Sequence, residues 1–338
     1  MLIAVPLLLV VAQAQKKNVI PAQPSAPQAD AYRLSGPYTH DNLTIFLVHG
    51  KDTISNRNIL TLQEAMERKK VIVHETKDVN ELTIENVSRY EDVFVQSGDI
   101  VKGGQQDRVL AVDLIVPPRS GRIPIAAFCV ESGRWSKRGN EEAATFTGSS
   151  DRIATNDLKI AANSSKSQTE VWKKVGEAQA KLSANVGAVV NSSTSESSLQ
   201  LSLENSRVKA TTESYIKQLS AVIDGKSDVI GYAFAINGKV NSADVYASNT
   251  LFKKLWPKLL KASAVEAVGE LQKDLKFNKT EAKDVDGFFA AAGAGDASEN
   301  SVNTRTKVVT RENADSMLLE SVDVKGQDAW IHRSYIKK

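Results

Sequence analysis

Two runs of alternating apolar residues flank a short segment rich in turn-forming residues, and this pattern dictates an antiparallel hairpin. Val109 to Val116 alternates, and so does Ile123 to Val130, with Pro117-Pro118-Arg119-Ser120-Gly121-Arg122 between them. Successive side chains of a strand point to opposite faces. Setting Val116 opposite Ile123 puts Leu114 against Ile125, Val112 against Ala127 and Leu110 against Cys129. All eight are apolar and share one face, while Asp113 falls on the other. A one-residue slip would mix polar and apolar sides, so the pattern selects this register. Extended by two residues, it sets Arg108 opposite Glu131 on the face of Cys129, the single cysteine of the chain.

The rest of the chain reads as strands, then helices, then strands. Residues 43–48, LTIFLV, form a β-type apolar run. Thr61-Leu62-Gln63-Glu64 has capping-box form and opens a short helix to about Lys69. Residues 71–73, 81–87 and 93–95 read as strands and 96–99 as a turn. The polar stretch 136–150 reads as loop. Trp172, Val175, Gln179 and Leu182 stand at helical spacing and predict a helix over 167–182, followed by a mobile Ser/Asn/Thr-rich loop over 183–198. A second helix is expected over 206–223. Asn237-Gly238 between residues 229–236 and 239–246 suits the type I′ turn of a second hairpin. A helical segment over 250–276 is interrupted or kinked at Pro257. Residues 287–303 read as weakly structured, and 307–310, 316–322 and 328–335 as closing strands. This order argues for an α+β fold, with N-terminal antiparallel, β-sandwich-like sheets, then a helical region with a β-hairpin, then C-terminal strands.

With 338 residues, 41% of them hydrophobic, the chain is long enough for a sizeable core. A net charge of +3 without a like-charge run argues against nucleic acid as a partner. Residues 2–11, LIAVPLLLVV, are apolar but too short to remain as a bilayer span. Ala12-Gln13-Ala14 has the small-x-small form of a cleavage site. The expected division is therefore a signal peptide over 1–14 and a Pro/Ala/Gln-rich linker over 15–39. A main domain over 40–276 follows, β-rich to residue 135 and mixed beyond it, and then a C-terminal extension with the closing strands over 277–338. Export implies an extracytoplasmic protein, periplasmic or secreted, with no membrane span after signal removal.

The strongest motifs resemble one bacterial and archaeal family. They are Gly98-x4-Gly103-x2-Gln106-Asp107-Arg108, the Pro-rich turn, and Cys129-Val130-Glu131-Ser132-Gly133-Arg134-Trp135. NLTIFLVHG near the start, LTLQEAMERKKVIVHET, DVIGYAFAINGKV and FKKLWPKLL add to the match. The chain resembles the domain family named for association with ADP-ribosylglycohydrolases and rhodanese-like phosphatases, over roughly residues 42–268, with the final strands left open. The resemblance implies a context of ADP-ribose or nucleotide chemistry and carries no established activity.

The candidate binding residues are Gln106, Arg108, Cys129, Glu131, Arg134 and Trp135. Arg108 or Arg134 offers a bidentate fork to an anionic group, and Trp135 offers a stacking wall. The competing reading is an Arg108–Glu131 pair that closes a sheet edge, with Cys129 as buried filler. Gly133 and Arg134 follow Cys129 as in a phosphatase loop, but Glu131 between them would repel a phosphate, so no catalytic residue is assigned. Gly98 to Gly104 lacks the Lys-Ser/Thr of a P-loop and reads as a connection between strands. The four histidines, His40, His49, His74 and His332, show no metal-binding spacing, so no metal is expected, and no motif asks for a cofactor. The leading expectation is an exported binding or accessory protein for a small anionic ligand. The alternatives are an enzyme acting on an ADP-ribose-like or phosphorylated small molecule, and a structural envelope protein.

Overall fold

The computed structural model describes residues 32–338 apart from residues 56, 154, 166, 327 and 328. The segment read as a signal peptide and the linker as far as residue 31 lie outside the described residues. The end of that linker is a strand, β1 (Arg33–His40), which pairs with β2 (Leu43–His49).

The first half of the chain curls into a half-barrel. Its strands are β3 (Ile59–Thr61), β4 (Val71–Asp78), β5 (Glu81–Asn86), β6 (Asp92–Val95), β7 (Asp99–Gly103), β8 (Arg108–Leu110), β9 (Leu114–Val116), β10 (Arg122–Cys129) and β11 (Phe146–Arg152). Six of them form one sheet in the order β11-β7-β8-β10-β5-β4, and β3-β6-β9 form a smaller one. A bridge between His74 and Thr145 draws the two edges of the larger sheet together. The helix α1 (Leu62–Glu67) sits at one end. Its capping box forms as expected, with the Glu64 N–H donating to Thr61 Oγ1 at 3.2 Å and the Thr61 N–H to Glu64 Oε2 at 3.3 Å. Leu82, Ile84, Val93, Val101, Ile125 and Ala127 are among the residues that fill the interior.

The second half builds an eight-stranded antiparallel sheet that also takes in β1 and β2. Between the two lie α2 (Asn156–Ile160), a π-helical turn over Ala161–Ser165, α3 (Gln168–Val186), α4 (Leu199–Leu203) and α5 (Ser206–Leu219). Then follow β12 (Val229–Ile236), β13 (Lys239–Tyr246), α6 (Asn249–Gly269), α7 (Ala282–Gly293), β14 (Asp296–Ser301), β15 (Thr306–Glu312), β16 (Ser316–Asp323) and β17 (Ala329–Lys337). The sheet order is β1-β2-β12-β13-β17-β16-β15-β14. The closing strands are thus integral to the sheet, since β17 pairs directly with β13. Asn237 and Gly238 both have positive φ, 52° and 73°, as the type I′ turn requires.

Alternation along β2 gives the sheet two buried faces. Leu43, Ile45 and Leu47 face α3, α5, α6 and the outer wall of the half-barrel, while Phe46 and Val48 face α7. The first of these cores also contains Ile100, Val109, Phe128 and Val130, so the two halves share one apolar interior. The fold is α+β with mostly antiparallel sheets. Among the described residues no helix is long and apolar enough to cross a membrane.

The first hairpin differs from its expected register by two residues. Ala127 pairs with Leu110, Phe128 with Val109 and Cys129 with Arg108. A shift of two leaves each side chain on its face. Leu110, Leu114, Val116, Ile125 and Ala127 therefore still share the half-barrel core, with Val112 and Ile123 packed against it. Beyond Ala111 the two runs separate. β9 turns aside to pair with β6, and the start of β10 pairs with β5. The divergence occurs at Asp113, whose carboxylate is bound by groups outside the hairpin.

Other segments are more ordered than their composition suggests. The glycine-rich stretch after Gly98 contains β7, and the polar stretch over 136–150 runs into β11. Residues 183–198 include the last turn of α3, which Gly187 ends at φ 68°, and their far end is pinned by side-chain hydrogen bonds. The segment over 287–303 contains most of α7 and all of β14.

Candidate functional site

The residues singled out from the sequence gather at one rim of the half-barrel, and they bind mainly one another. Arg134 Nε donates to Glu131 Oε1 at 2.7 Å, and its Nη2 forms an ion pair with Oε2 at 2.7 Å. Arg138 grips Asp107 in a bidentate manner, at 3.0 and 3.1 Å. Arg138 also reaches Glu141 at 2.8 Å. Arg108 lies 3.5 Å from Glu75 and donates to Cys129 Sγ, and its guanidinium carbon is 5.5 Å from the Trp135 ring centre. The expected Arg108–Glu131 pair is therefore replaced by Arg108–Glu75 and Arg134–Glu131, a direct result of the two-residue shift. Arg108, Cys129 and Glu131 are fully buried, Gln106 is buried beside them, and only Trp135 is substantially exposed.

This rim is also tied to the helical layer. Gln168 bonds both backbone groups of Cys129 at 2.8 Å, and the Trp172 Nε1–H donates to Glu131 O at 3.1 Å. Ser197 bonds both backbone groups of Ser132, and Ser198 Oγ donates to Asp107 Oδ2 at 3.2 Å. Burial works against the charge on Glu131, yet its hydrogen bonds, with Arg134 foremost, hold its pKa below the usual carboxylate value. The cluster is an ion-pair clasp between the half-barrel and the helices.

A cavity of about 380 Å³ opens elsewhere, between the half-barrel and the far end of the eight-stranded sheet. Its rim is exposed at Asn80, Glu81, Asn300 and Ser301. Its floor is buried and charged, with Asp113, Arg152, Lys159 and His332. Ala162 and Asn163 of the π-helical turn form part of the wall. A π turn of this kind is a frequent mark of a functional site.

His332 organises the floor. Its Nδ1 lies 2.7 Å from Asp113 Oδ2, and its Nε2 lies 3.0 Å from Asp244 Oδ1. Its ring stacks on Tyr246 with centres 4.5 Å apart. Asp113 also accepts from the Ser97 N–H at 2.7 Å and from the Ser321 hydroxyl. Arg152 stands 3.5 Å from the second oxygen of Asp244 and donates to Ser97 O at 2.8 Å. Two close approaches make this arrangement possible. A Cβ on Gly231 would lie 2.5 Å from Asp244 O, and one on Gly98 would lie 3.2 Å from Arg152 Nη2. Gly98 also has φ +93°, which glycine adopts freely.

Each ring nitrogen of His332 faces a carboxylate, so each carries a proton. Burial alone would depress its pKa, but the two carboxylates outweigh burial and push it up to about 9. In the same way His332 and Arg152 hold Asp244 well below the ordinary carboxylate range against the effect of burial. An imidazole that stays protonated until the pH approaches 9 is a poor general base at neutral pH, and Ser321 bonds Asp113 rather than the ring, so the group is not a Ser-His-Asp triad. It is a positively charged anchor. Its two carboxylates are already bonded, while donors remain. Arg152 Nε–H has no partner, and Lys159 makes one bond, to Ser242 Oγ at 3.1 Å. Such a floor suits a ligand that supplies oxygen acceptors.

None of these floor residues belongs to a sequence motif. Asp113 carried the one available signal, as the polar member of an otherwise apolar alternating run. Arg152, Lys159, Asp244 and His332 come from β11, α2, β13 and β17, and their meeting with Asp113 is a product of topology.

The sign of the His332 shift sets a pH dependence. A pKa raised on folding contributes stability that is complete below the unfolded value of 6.5 and is lost as pH rises through about 9. Asp113 and Asp244, both lowered, contribute above about 3.8 and lose their effect in acid. We expect the thermal midpoint to be highest from about pH 4.5 to 6.5 and to fall towards pH 9. His332→Gln should flatten the alkaline limb and cost about 3–5 kcal/mol at pH 6, because it leaves buried carboxylates uncompensated. Melting scans of both proteins from pH 4 to 10 check this, and parallel profiles would contradict it.

No curated protein and no solved structure matches the chain. A family model does, the ARG and Rhodanese-Phosphatase-superfamily-associated Protein domain, ARPP-1, over residues 31–336. That span covers β1 and the closing strands as well as the clasp and the cavity, and the chain belongs to the ARPP-1 family.

Proposed function

We propose that this chain is an exported binding protein that holds a small anionic ligand in the cavity between the half-barrel and the eight-stranded sheet. The observation that carries the reading is the cavity floor, where Arg152 keeps an unused N–H while the neighbouring carboxylates are already bonded. Buried donors without partners are costly, and a ligand's oxygen atoms would satisfy them. The volume of about 380 Å³ is within the range of small-molecule sites. A phosphate or carboxylate at the floor with a polar body towards Asn80 and Asn300 fits this distribution. In the arginine clasp each guanidinium is paired with a carboxylate, whereas on the floor Lys159 has none within ion-pair distance.

A thermal-shift series with ADP-ribose, nucleotides, sugar phosphates and cell-wall fragments tests the reading. At saturation a bound anion should raise the midpoint by several degrees. Arg152→Gln should remove the response. Ala126→Trp, at an exposed rim position on β10, should also remove it without touching the charged floor. No response to any of these compounds, or a response that survives both substitutions, would refute the site.

Export rests on the apolar run Leu2–Val11 and the small-x-small site Ala12-Gln13-Ala14. N-terminal sequencing of the protein from its native host should begin at Gln15. A mature chain that retains Met1 would contradict this part of the reading.

A further inference from the structure

Lys159 is an exception among the buried cations. Among the described residues, the buried Arg108, Arg138, Arg152, Lys258, His49 and His332 each have a carboxylate within ion-pair distance. Lys159 is equally buried and has none. Its Nζ makes one hydrogen bond, to Ser242 Oγ at 3.1 Å, and lies 5.6 Å from the centre of the Phe234 ring. It borders the cavity together with Arg152 and His332.

We infer that Lys159 is a nucleophilic amine that condenses with the carbonyl group of a small anionic aldehyde or ketone held in this cavity. The inference deepens the binding reading and rests on it. An ammonium group removed from water without a counter-ion loses its proton readily, and the free lone pair is what attacks a carbonyl. Burial is the largest influence on Lys159 and lowers its pKa, and the positive charge of Arg152 acts in the same direction. Neither of the carboxylates that oppose them lies within ion-pair distance of Lys159. Asp244 is bound to His332 and Arg152, and Glu266 accepts through Oε1 from the Asn156 N–H at 2.9 Å and from Asn241 Nδ2 at 3.2 Å. The face of Phe234 favours the charged form only weakly.

The chemistry balances without a further reactant. The nitrogen lone pair forms a bond to the carbonyl carbon, and the carbonyl π electrons move to oxygen. The two amine protons pass to that oxygen, the C–O bond breaks and water leaves, so that a C=N bond remains. No electron is gained or lost. Arg152 supplies the charge that holds the anionic end of the same molecule.

Ribose 5-phosphate, which carries an aldehyde in its open form and a phosphate, is a suitable probe. Ribitol 5-phosphate has the same anionic end and no carbonyl. The full chain is incubated with ribose 5-phosphate and cyanoborohydride at pH 7.5, and the labelled lysines are mapped by peptide mass. Lys159 should be labelled at least tenfold faster than exposed lysines such as Lys173 and Lys283. Ribitol 5-phosphate should suppress that labelling, and Lys159→Arg and Lys159→Met should lack it. The comparison among lysines of the unmodified protein does not depend on either variant folding. If ribitol 5-phosphate raises the melting midpoint but Lys159 is labelled no faster than the surface, the amine inference is overturned and the binding reading stands. If neither sugar phosphate shifts the midpoint and labelling is confined to exposed lysines, both are overturned.

Discussion

Asp113 belongs to the half-barrel, Asp244 and His332 to the eight-stranded sheet, and one protonated imidazole holds the two carboxylates together. All three side chains are buried, so neither carboxylate has water to replace a lost partner. Breaking such a group is expensive even where its net contribution to stability is small. The constraint is geometric as well as energetic. It fixes where β17 passes the segment between β8 and β9, and so how the half-barrel sits against the sheet. The cavity is the space left beside that contact, where Asp113 and His332 form part of the floor.

The same contact accounts for the largest departure from the sequence-based register. A long two-stranded hairpin over 109–130 would satisfy every apolar residue, and its face assignment survives in the fold. It does not accommodate Asp113, which accepts from Ser97, Ser321 and His332. The strand therefore ends there, β9 joins β6, and the remaining pairs settle two residues from the expected alignment. Local alternation encodes faces strongly and register only to within an even shift. The tertiary partner of one polar residue decides the rest.

Elements whose signal is local were legible. The Thr61–Glu64 capping box, the Asn237-Gly238 hairpin and the closing strands follow from residues adjacent in the chain. Elements whose signal is diluted were not. In α7 the buried stripe is Val285, Phe288 and Ala292, obscured by a run of alanine and glycine. In β11 the exposed positions interrupt any apolar run. The residues around Cys129 were brought together much as the strand pattern implied, but their partners changed, because Glu75, Arg138 and Ser198 enter from segments that no spacing connects. The cavity floor was beyond sequence reasoning altogether, since it is assembled from five separate elements. The motif that resembles the family most closely thus lies in a clasp of ion pairs, while the charged cavity floor is built from residues without a motif.

The charge on His332 is the point on which this account turns, and nitrogen NMR of the imidazole reads it directly. At pH 7.5 both His332 nitrogens should carry protons, with shifts typical of an imidazolium that persist until the pH approaches 9. A neutral ring at pH 7.5, with one nitrogen unprotonated, would contradict the two-carboxylate anchor and with it the proposed origin of the cavity.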